Sequence, residues 1–573
     1  MKFAAVLAAA ASLLAVSTAL AAEPAPPPGP QWLKAQGDRI IDETGAPVVL
    51  RGMGLGGWML QEGYMLRLSK LGQEHVIRAR IAALVGPQRE AAIHTAWLDN
   101  HTTKADIDYM AAAGFNSVRL PMHYALLTLP VDQEPVPGAD TWKEDGFKRI
   151  DDLLAWTKAN GMHLILDLHA APGGQGNDLA ISDRDPAKPS LWDSPENQRK
   201  TIALWRKLAE RYKDEPAIAA YDVLNEPNWD FDRKASGNGC ADEKQDLLWD
   251  VQRRITAAIR EVDQRHLMII EGNCWGNNYK GLGKPWDANM ALSFHKYWNR
   301  NDQASVEPIL KLREQTGLPV WLGESGENSN VWFADAIRLV EGHGIGWAFW
   351  PLKKIGFNQP LEVQVGPDYD AVVATLTGEA KTPVPADQAY AVLMKLASRD
   401  VRFENNLRHP DVLDAMLRQP HDDATRPFKP HRVTAKGGTI AAVDYDLGVI
   451  GKAYWDTDAA NYHVATGADR TLWNNGRTAR NDGVDIAPDG QSVTDFTAGE
   501  WLRYTVTAER AGAYAVRIDG QGAMTLTANS GAAVRSGGTV HLLAGTNVLV
   551  LRSDGAAAVT SIKLKPTTPT PLP

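Results

Sequence analysis

Cysteine is scarce: 573 residues contain only Cys240 and Cys274. Two thiols exclude a disulfide-framework protein, and without histidines at ligand spacing they do not make a zinc site. Basic tracts are missing as well. Net charge is −9, with 60 Lys+Arg against 69 Asp+Glu, which argues against nucleic acid as a partner. Beyond the N-terminus no stretch is long and apolar enough to span a bilayer. No internal repeat stands out. Apolar residues at 44% and charged residues at 23% lie near the globular average, which excludes a mainly disordered, collagenous or coiled-coil chain. The length suits two or three domains, or one large barrel with an added module.

Tryptophan is in excess, at 19 against 14 Tyr and 11 Phe. Indoles supply flat apolar faces with an N–H donor, suited to stacking on sugar rings and equally to filling a core. At the start, Met1-Lys2 precedes an Ala/Leu/Val run ending in Ala19-Leu20-Ala21. One positive charge, an apolar stretch and small residues before the cut describe a secretory signal over 1–21. Five of the seven residues from Pro24 to Pro30 are proline and no basic flank follows, so cleavage is favoured over anchoring. The processed protein is expected in the periplasm or outside the cell, with no membrane association. Nothing in the sequence sets an oligomeric state.

Apolar, β-like runs recur near 48–54, 116–123, 163–169, 217–225, 267–273, 290–297, 319–324 and 344–350. Helical patterns lie between several of them. Phe147, Ile150, Leu154 and Thr157 share a helical face, and Gly161 follows as a stop signal. Ser194-Pro195-Glu196 reads as a cap, a first-turn proline and an acid matched to the helix dipole. Trp205, Leu208, Ala209 and Tyr212 follow at i, i+3, i+4, i+7. Eight strands interleaved with helices suit a (β/α)8 TIM barrel, an α/β fold; a doubly wound open sheet has the same periodicity. Gly52-Met53-Gly54-Leu55-Gly56-Gly57 contains G-x-G-x-x-G after a strand-like run. A dinucleotide site needs a helix to start there, and Trp58-Met59-Leu60-Gln61-Glu62-Gly63 offers none. A glycine-rich loop after the first strand is favoured.

Residues 22–420 read as the barrel, closed by helices over 386–400 and 409–418. Residues 421–433 are Pro-rich and aperiodic, a connector. From 434 to 566 short alternating runs such as Trp501-Leu502-Arg503-Tyr504-Thr505-Val506 alternate with turn signals, the texture of a β-sandwich. The tail 567–573 is Pro/Thr-rich and reads as disordered.

Barrel enzymes carry their chemistry at the C-terminal ends of the strands. Those ends supply Arg119, His169, Asn225, Glu226, His295, Tyr297, Glu324 and Trp350. Singly, each has a bland structural explanation; together they are specific. Hydrolysis of a glycosidic bond needs an acid for the leaving oxygen and a carboxylate to attack, or to activate water at, the anomeric carbon. Glu226 and Glu324 supply the pair, provided their surroundings push the two pKa values apart. Arg119 is placed to hold one carboxylate ionised, Asn225 to bond a substrate hydroxyl, and Trp350 to stack on a sugar.

Asn225-Glu226-Pro227, Trp321-Leu322-Gly323-Glu324, Asn116-Ser117-Val118-Arg119-Leu120-Pro121, Ser293-Phe294-His295-Lys296-Tyr297 and Trp347-Ala348-Phe349-Trp350 resemble the signatures of glycoside hydrolase family 5, the cellulase-type retaining glycosidases. The resemblance implies Glu226 as acid/base and Glu324 as nucleophile. It implies that Asn225 binds the 2-hydroxyl, and that Arg119, His169, His295, Tyr297 and Trp350 line the −1 subsite. No metal or organic cofactor is implied; the partner is an oligo- or polysaccharide. Asp167-Leu168-His169-Ala170-Ala171-Pro172-Gly173-Gly174-Gln175 is similar to the exo-β-1,3-glucanase branch, in which Glu62, Trp229 and Trp298 would shape subsites. On this fold Cys240 follows strand four and Cys274 follows strand five, in neighbouring loops; a bridge or two free thiols both fit. Beyond 434, Asn481-Asp482-Gly483-Val484-Asp485 and Ala498-Gly499-Glu500-Trp501-Leu502-Arg503-Tyr504 resemble carbohydrate-binding module family 6, a galactose-binding-like jelly roll. Ala441 and Val443 replace that family's E-x-E acids, and Ala558-Val559-Thr560-Ser561 replaces a segment that offers a sugar-binding Asn. Reduced or absent sugar binding is therefore expected there, with Tyr454, Trp455, Tyr462 and Trp473 either stacking on sugar or filling a core. The sequence expectation is a secreted retaining β-glycosidase for β-glucans or β-gluco-oligosaccharides. A glycosidase of another β-linked glycan and a non-catalytic carbohydrate-binding protein are the alternatives.

Overall fold

The computed structural model describes residues 29–233, 237–297, 299–457 and 480–567. The signal segment 1–21, Trp298, Tyr462, Trp473 and residues 568–573 lie outside the described residues. Eight parallel strands form a closed barrel: β1 (Arg51–Gly54), β2 (Ser117–His123), β3 (His163–Ala170), β4 (Ile218–Asp222), β5 (Leu267–Glu271), β6 (Met290–Lys296), β7 (Val320–Gly326) and β8 (Trp347–Trp350). Trp347 on β8 pairs with Arg51 on β1, which excludes the open sheet. Each strand coincides with one of the eight apolar runs. Parallel barrel strands are covered on both faces, so they read as continuous apolar stretches rather than alternating ones.

The lower barrel is filled by Ile165, Ala220, Leu267, Ile269, Trp321 and Ala348. Leu33 and Ile40 join them from around the N-terminal hairpin of Lys34–Gln36 and Arg39–Ile41. Ala35 N–H donates to Asn289 Oδ1 (2.7 Å), just before β6 begins, so the hairpin plugs the end opposite the strand C-termini. Outside the strands, helix Glu144–Ala159 buries Phe147, Ile150, Leu154 and Thr157. Helix Pro195–Tyr212 starts on Ser194, whose hydroxyl accepts from Asn197 N–H (3.1 Å). Much of the tryptophan excess is core. Trp58, Trp205, Trp249, Trp332 and Trp347 are fully buried or nearly so, and each indole N–H has an acceptor.

The closing helices differ from expectation. Pairing of β8 with β1 closes the barrel. Helix Ala386–Lys395 instead packs in a side cluster with helices Glu74–Val85 and Pro87–Asn100, where Ala389 and Leu393 meet Ile77, Ile81 and Trp97. There their apolar stripes cover one another. Helix Pro410–Leu417 does pack on the barrel, against helix Asn330–Gly342.

The C-terminal part is a β-sandwich of two five-stranded sheets. One runs His431–Val433, Trp501–Ala508, Gly545–Ser553, Met524–Ala528, with Tyr454–Trp455 also on Trp501–Ala508. The other runs Gly438–Ala441, Ala557–Pro566, Gly512–Gln521, Thr539–Leu542, with Val493–Phe496 also on Ala557–Pro566. Leu502, Tyr504 and Val506 alternate inward and meet Leu549, Leu551 and Ile562. Pairing begins inside the expected connector, because His431–Val433 adds to an edge of Trp501–Ala508 that would otherwise lie open. Tyr454 is core, while Trp455 is 44% exposed.

Candidate active site

The C-terminal mouth of the barrel gathers all eight polar and aromatic residues picked out at the strand ends. Arg119 departs from the expected position. It stands mid-strand in β2 and is fully buried, so it forms the floor of the site rather than its rim. Nε and Nη2 donate to Asp222 Oδ2 (3.0 and 2.8 Å), and Nη2 donates to Asn225 Oδ1 (2.8 Å). Nη2 also lies 3.2 Å from Asp167 Oδ2 and 3.3 Å from Glu271 Oε1. Nη1 donates to Glu324 Oε1. The guanidinium fork thus collects carboxylates from four strands, a geometry no lysine reproduces.

Glu324 accepts a second bond from Tyr297 O–H (2.9 Å), and the rings of His295 and His169 each bring a nitrogen within 3.8 Å. Burial pushes its pKa up, but His295, Arg119 and His169 outweigh burial and hold the carboxylate below its ordinary range. Glu226 is placed differently. Its close side-chain partner is His295, with Nδ1 2.6 Å from Oε1. Burial, with the charge of Glu324 adding to it against His295, pushes Glu226 up to about 7. One oxygen of each glutamate lies within 4.8 Å of the other. Two like charges about 5 Å apart repel by roughly 3 kcal/mol at an effective dielectric near 20. Glu324, with more partners, gives up its proton at lower pH than Glu226. Glu226 also has a left-handed backbone (φ 44°), sparsely populated for a non-glycine. Its N–H donates to Glu271 Oε2 (2.7 Å) and its carbonyl accepts from Asn228 Nδ2 (2.9 Å), which fixes the turn.

Asn225 is oriented on both sides: Oδ1 accepts from Arg119, and Nδ2 faces His169 Nε2 at 3.3 Å. His169 Nδ1 in turn lies 2.7 Å from Asp167 Oδ2. Trp350 is 5% exposed. Its indole lies parallel to the His169 ring, 5.1 Å away, and Nε1 donates to the hydroxyl oxygen of Tyr64 (2.9 Å). The glycine-rich loop is explained by this ring. A Cβ on Gly54 or Gly56 would stand 2.5 Å from Trp350 carbons, so the glycines make room for an indole rather than a phosphate. Glu62 is buried beside the pair, and burial, opposed by His169, pushes it up to about 8. Among the described residues two groups hold atoms close enough to ligate a cation, Asp167–His169–Glu324 and Glu226–His295–Glu324. In both, Glu324 already meets the positive charge of Arg119.

Strand-end reading missed Asp167, Asp222 and Glu271, the acids around Arg119. Asp222 and Glu271 are the true last residues of β4 and β5, and ends set at 225 and 273 pass over them. Asp167 shares the parity of His169 on β3, a usable signal.

Cys240 and Cys274 are joined, with Cα atoms 4.7 Å apart and a sequence separation of 34. Asn278 Nδ2 donates to the carbonyls of Gly239 and Asp242 (2.8 and 2.9 Å), and Asn273 Nδ2 to that of Trp229 (2.8 Å), so the same two loops are also tied by amides. Denatured, unreduced protein is expected to contain no titratable thiol. The Cys240→Ser, Cys274→Ser double variant should lose about 2–4 kcal/mol of stability in urea unfolding. Two reactive thiols would contradict the bond.

The cellulase model of glycosyl hydrolase family 5 matches residues 84–355. A β-xylosidase of Phanerodontia chrysosporium is 30% identical over 369 residues, covering 58% of this chain and 73% of that protein. Endoglucanase C of Acetivibrio thermocellus is 26% identical over 323 residues, covering 45% and 86%. A probable glucan 1,3-β-glucosidase A of Emericella nidulans is 29% identical over 311 residues, covering 52% and 71%. With a closed (β/α)8 barrel and a buried carboxylate pair at its mouth, the chain belongs to glycosyl hydrolase family 5.

Proposed function

We propose that the chain is an exported β-glycosidase that retains anomeric configuration, with Glu226 as acid/base and Glu324 as nucleophile. One observation carries this reading: two buried glutamates with carboxyl oxygens within 4.8 Å of each other, one with its pKa pushed up to about 7 and the other held below the ordinary carboxylate range. Retaining glycosidases keep their carboxyl groups about 5–5.5 Å apart, whereas inverting ones need about 6.5–9.5 Å for a water between them.

In the first step ionised Glu324 attacks the anomeric carbon while Glu226 gives its proton to the leaving oxygen. The glycosidic C–O bond breaks and an ester to Glu324 forms. Esterification removes the negative charge facing Glu226, so its pKa falls and it becomes a base. It then takes a proton from water, which attacks the same carbon and frees Glu324. Two inversions give net retention. Arg119, His169, Asn225, His295, Tyr297 and Trp350 would form the −1 subsite around this exchange.

A β-gluco-oligosaccharide is the proposed substrate, in keeping with the relative named as a glucan 1,3-β-glucosidase. A β-xyloside is the second reading, favoured by the likeness to a β-xylosidase. The region 434–566 is proposed as a module similar to carbohydrate-binding family 6 with weakened sugar binding, supported by the burial of Tyr454 in its core. Export rests on the N-terminal segment alone. The test is sugar release from β-1,3-, β-1,4- and β-1,6-linked gluco-oligosaccharides and from β-xylo-oligosaccharides, with the first product's anomer read by NMR. The β-anomer is expected first, and the released sugar names the substrate. An α-anomer would sink retention. No release from any of them, or from a wider glycan panel, would favour the carbohydrate-binding alternative.

A further inference from the structure

The loop after β7 leads from Glu324 through Glu327, Asn328 and Ser329 into helix Asn330–Gly342. A residue of the β-sandwich reaches into this loop. Asn481, 2% exposed, donates from Nδ2 to the carbonyl of Asn328 (2.8 Å) and to Asn330 Oδ1 (3.1 Å). Its carbonyl accepts from Asn330 N–H (2.8 Å). Its own N–H donates to Asp411 Oδ2 (2.8 Å), which also accepts from Asn330 Nδ2 (2.8 Å). The loop then touches the site. Asn328 Nδ2 donates to the carbonyl of Tyr297 (3.2 Å), and Tyr297 O–H donates to Glu324 Oε2 (2.9 Å). Three hydrogen bonds therefore connect the sandwich to the carboxylate.

Asn481 is held firmly at its own end. The neighbouring Arg480 guanidinium lies 4.0 Å from the Tyr445 ring centre and 4.5 Å from that of Phe428, and it donates to the Tyr445 carbonyl (2.9 Å). Asp482 accepts from Tyr445 O–H (2.5 Å). Asparagine suits the position because one planar amide offers two donors in a fixed direction. Alanine there would leave the buried carbonyl of Asn328 and Asn330 Oδ1 short of a donor, which is costly.

We propose that Asn481 is a positioning residue of the active site. Through Asn328 and Tyr297 the C-terminal sandwich sets the phenol donor that meets the Glu324 carboxylate, so the second domain completes the catalytic centre instead of only accompanying it. The inference rests on the reading of Glu324 as the nucleophile.

A double-mutant cycle with Tyr297→Phe tests it, run on the full chain below the unfolding temperature of the least stable variant. Asn481→Ala is expected to lower kcat about tenfold with KM little changed, the size of one hydrogen bond to a charge. The acidic limb of kcat/KM should move to higher pH, because a weaker Tyr297 bond favours the protonated form of Glu324. In the Tyr297→Phe background the same substitution should change kcat by less than about twofold. Native kcat and an unmoved acidic limb in Asn481→Ala would overturn the proposal. So would an equal tenfold loss in the Tyr297→Phe background, which is what simple domain adhesion gives. If Asn481→Ala does not fold, Asn328→Ala carries the same cycle with the same two expectations. Failure of the underlying reading shows separately, as retained activity of Glu324→Ala.

Discussion

Replacing Glu324 by alanine is expected to lower kcat by a factor of order 10⁶, the scale on which removal of a nucleophile acts in a cooperating catalytic unit. The loss has two origins: no ester can form, and Arg119 and Tyr297 lose the charge they face. Azide should restore part of the turnover by entering the vacated space. It would attack the face that Glu324 occupied, so a β-linked substrate should give the α-glycosyl azide, identified by NMR. Turnover at the native rate, or a β-azide, would remove Glu324 from the role.

Replacing Glu226 by alanine should cost about 10²–10⁴ on substrates with a sugar leaving group, the usual worth of general acid catalysis. A dinitrophenyl glycoside, whose leaving group needs no proton, should form its glycosyl-enzyme at close to the native rate. Its release step should slow instead, and azide should speed that release with a β-azide as product. The pH profile gives a second reading. Glu226 must be protonated for the first step, and its pKa is pushed up to about 7, so activity falls as pH rises through about 7. Glu324 must be ionised and is held below the ordinary carboxylate range, so activity falls only when pH drops beneath that range. In Glu226→Ala the basic limb should vanish and the acidic limb remain. A basic limb that survives the substitution would assign the proton donor elsewhere, with Glu62, pushed up to about 8, the nearest alternative.

The barrel was legible because burial leaves a mark on composition. Each of β1 to β8 is covered on both faces, and eight apolar runs at intervals record this. Glu226, Glu324, His295 and Tyr297 stood out because they interrupt such runs near their ends. The sequence marks Arg119 but not its depth, since periodicity does not say how deep a residue sits along a strand. The glycine-rich loop after β1 is legible as a loop, but its cause, the Trp350 indole, lies almost 300 residues away in sequence.

By itself the sequence determined eight strands interleaved with helices, the β-rich region that follows them, and the residue types from which a glycosidase site is made. These properties depend on local periodicity and on short motifs, which one chain displays directly. Closure into a barrel was decided by the pairing of β8 with β1. Only the tertiary structure shows what pushes the pKa values of the two carboxyl groups apart. That separation depends on partners from other strands, with Arg119 and Glu324 205 positions apart and Glu226 and His295 69 apart. It also decided that Asn481 meets the loop after β7, a contact across 153 positions. Electrostatic energies depend on distance in space and on burial, and neither is carried by spacing along the chain.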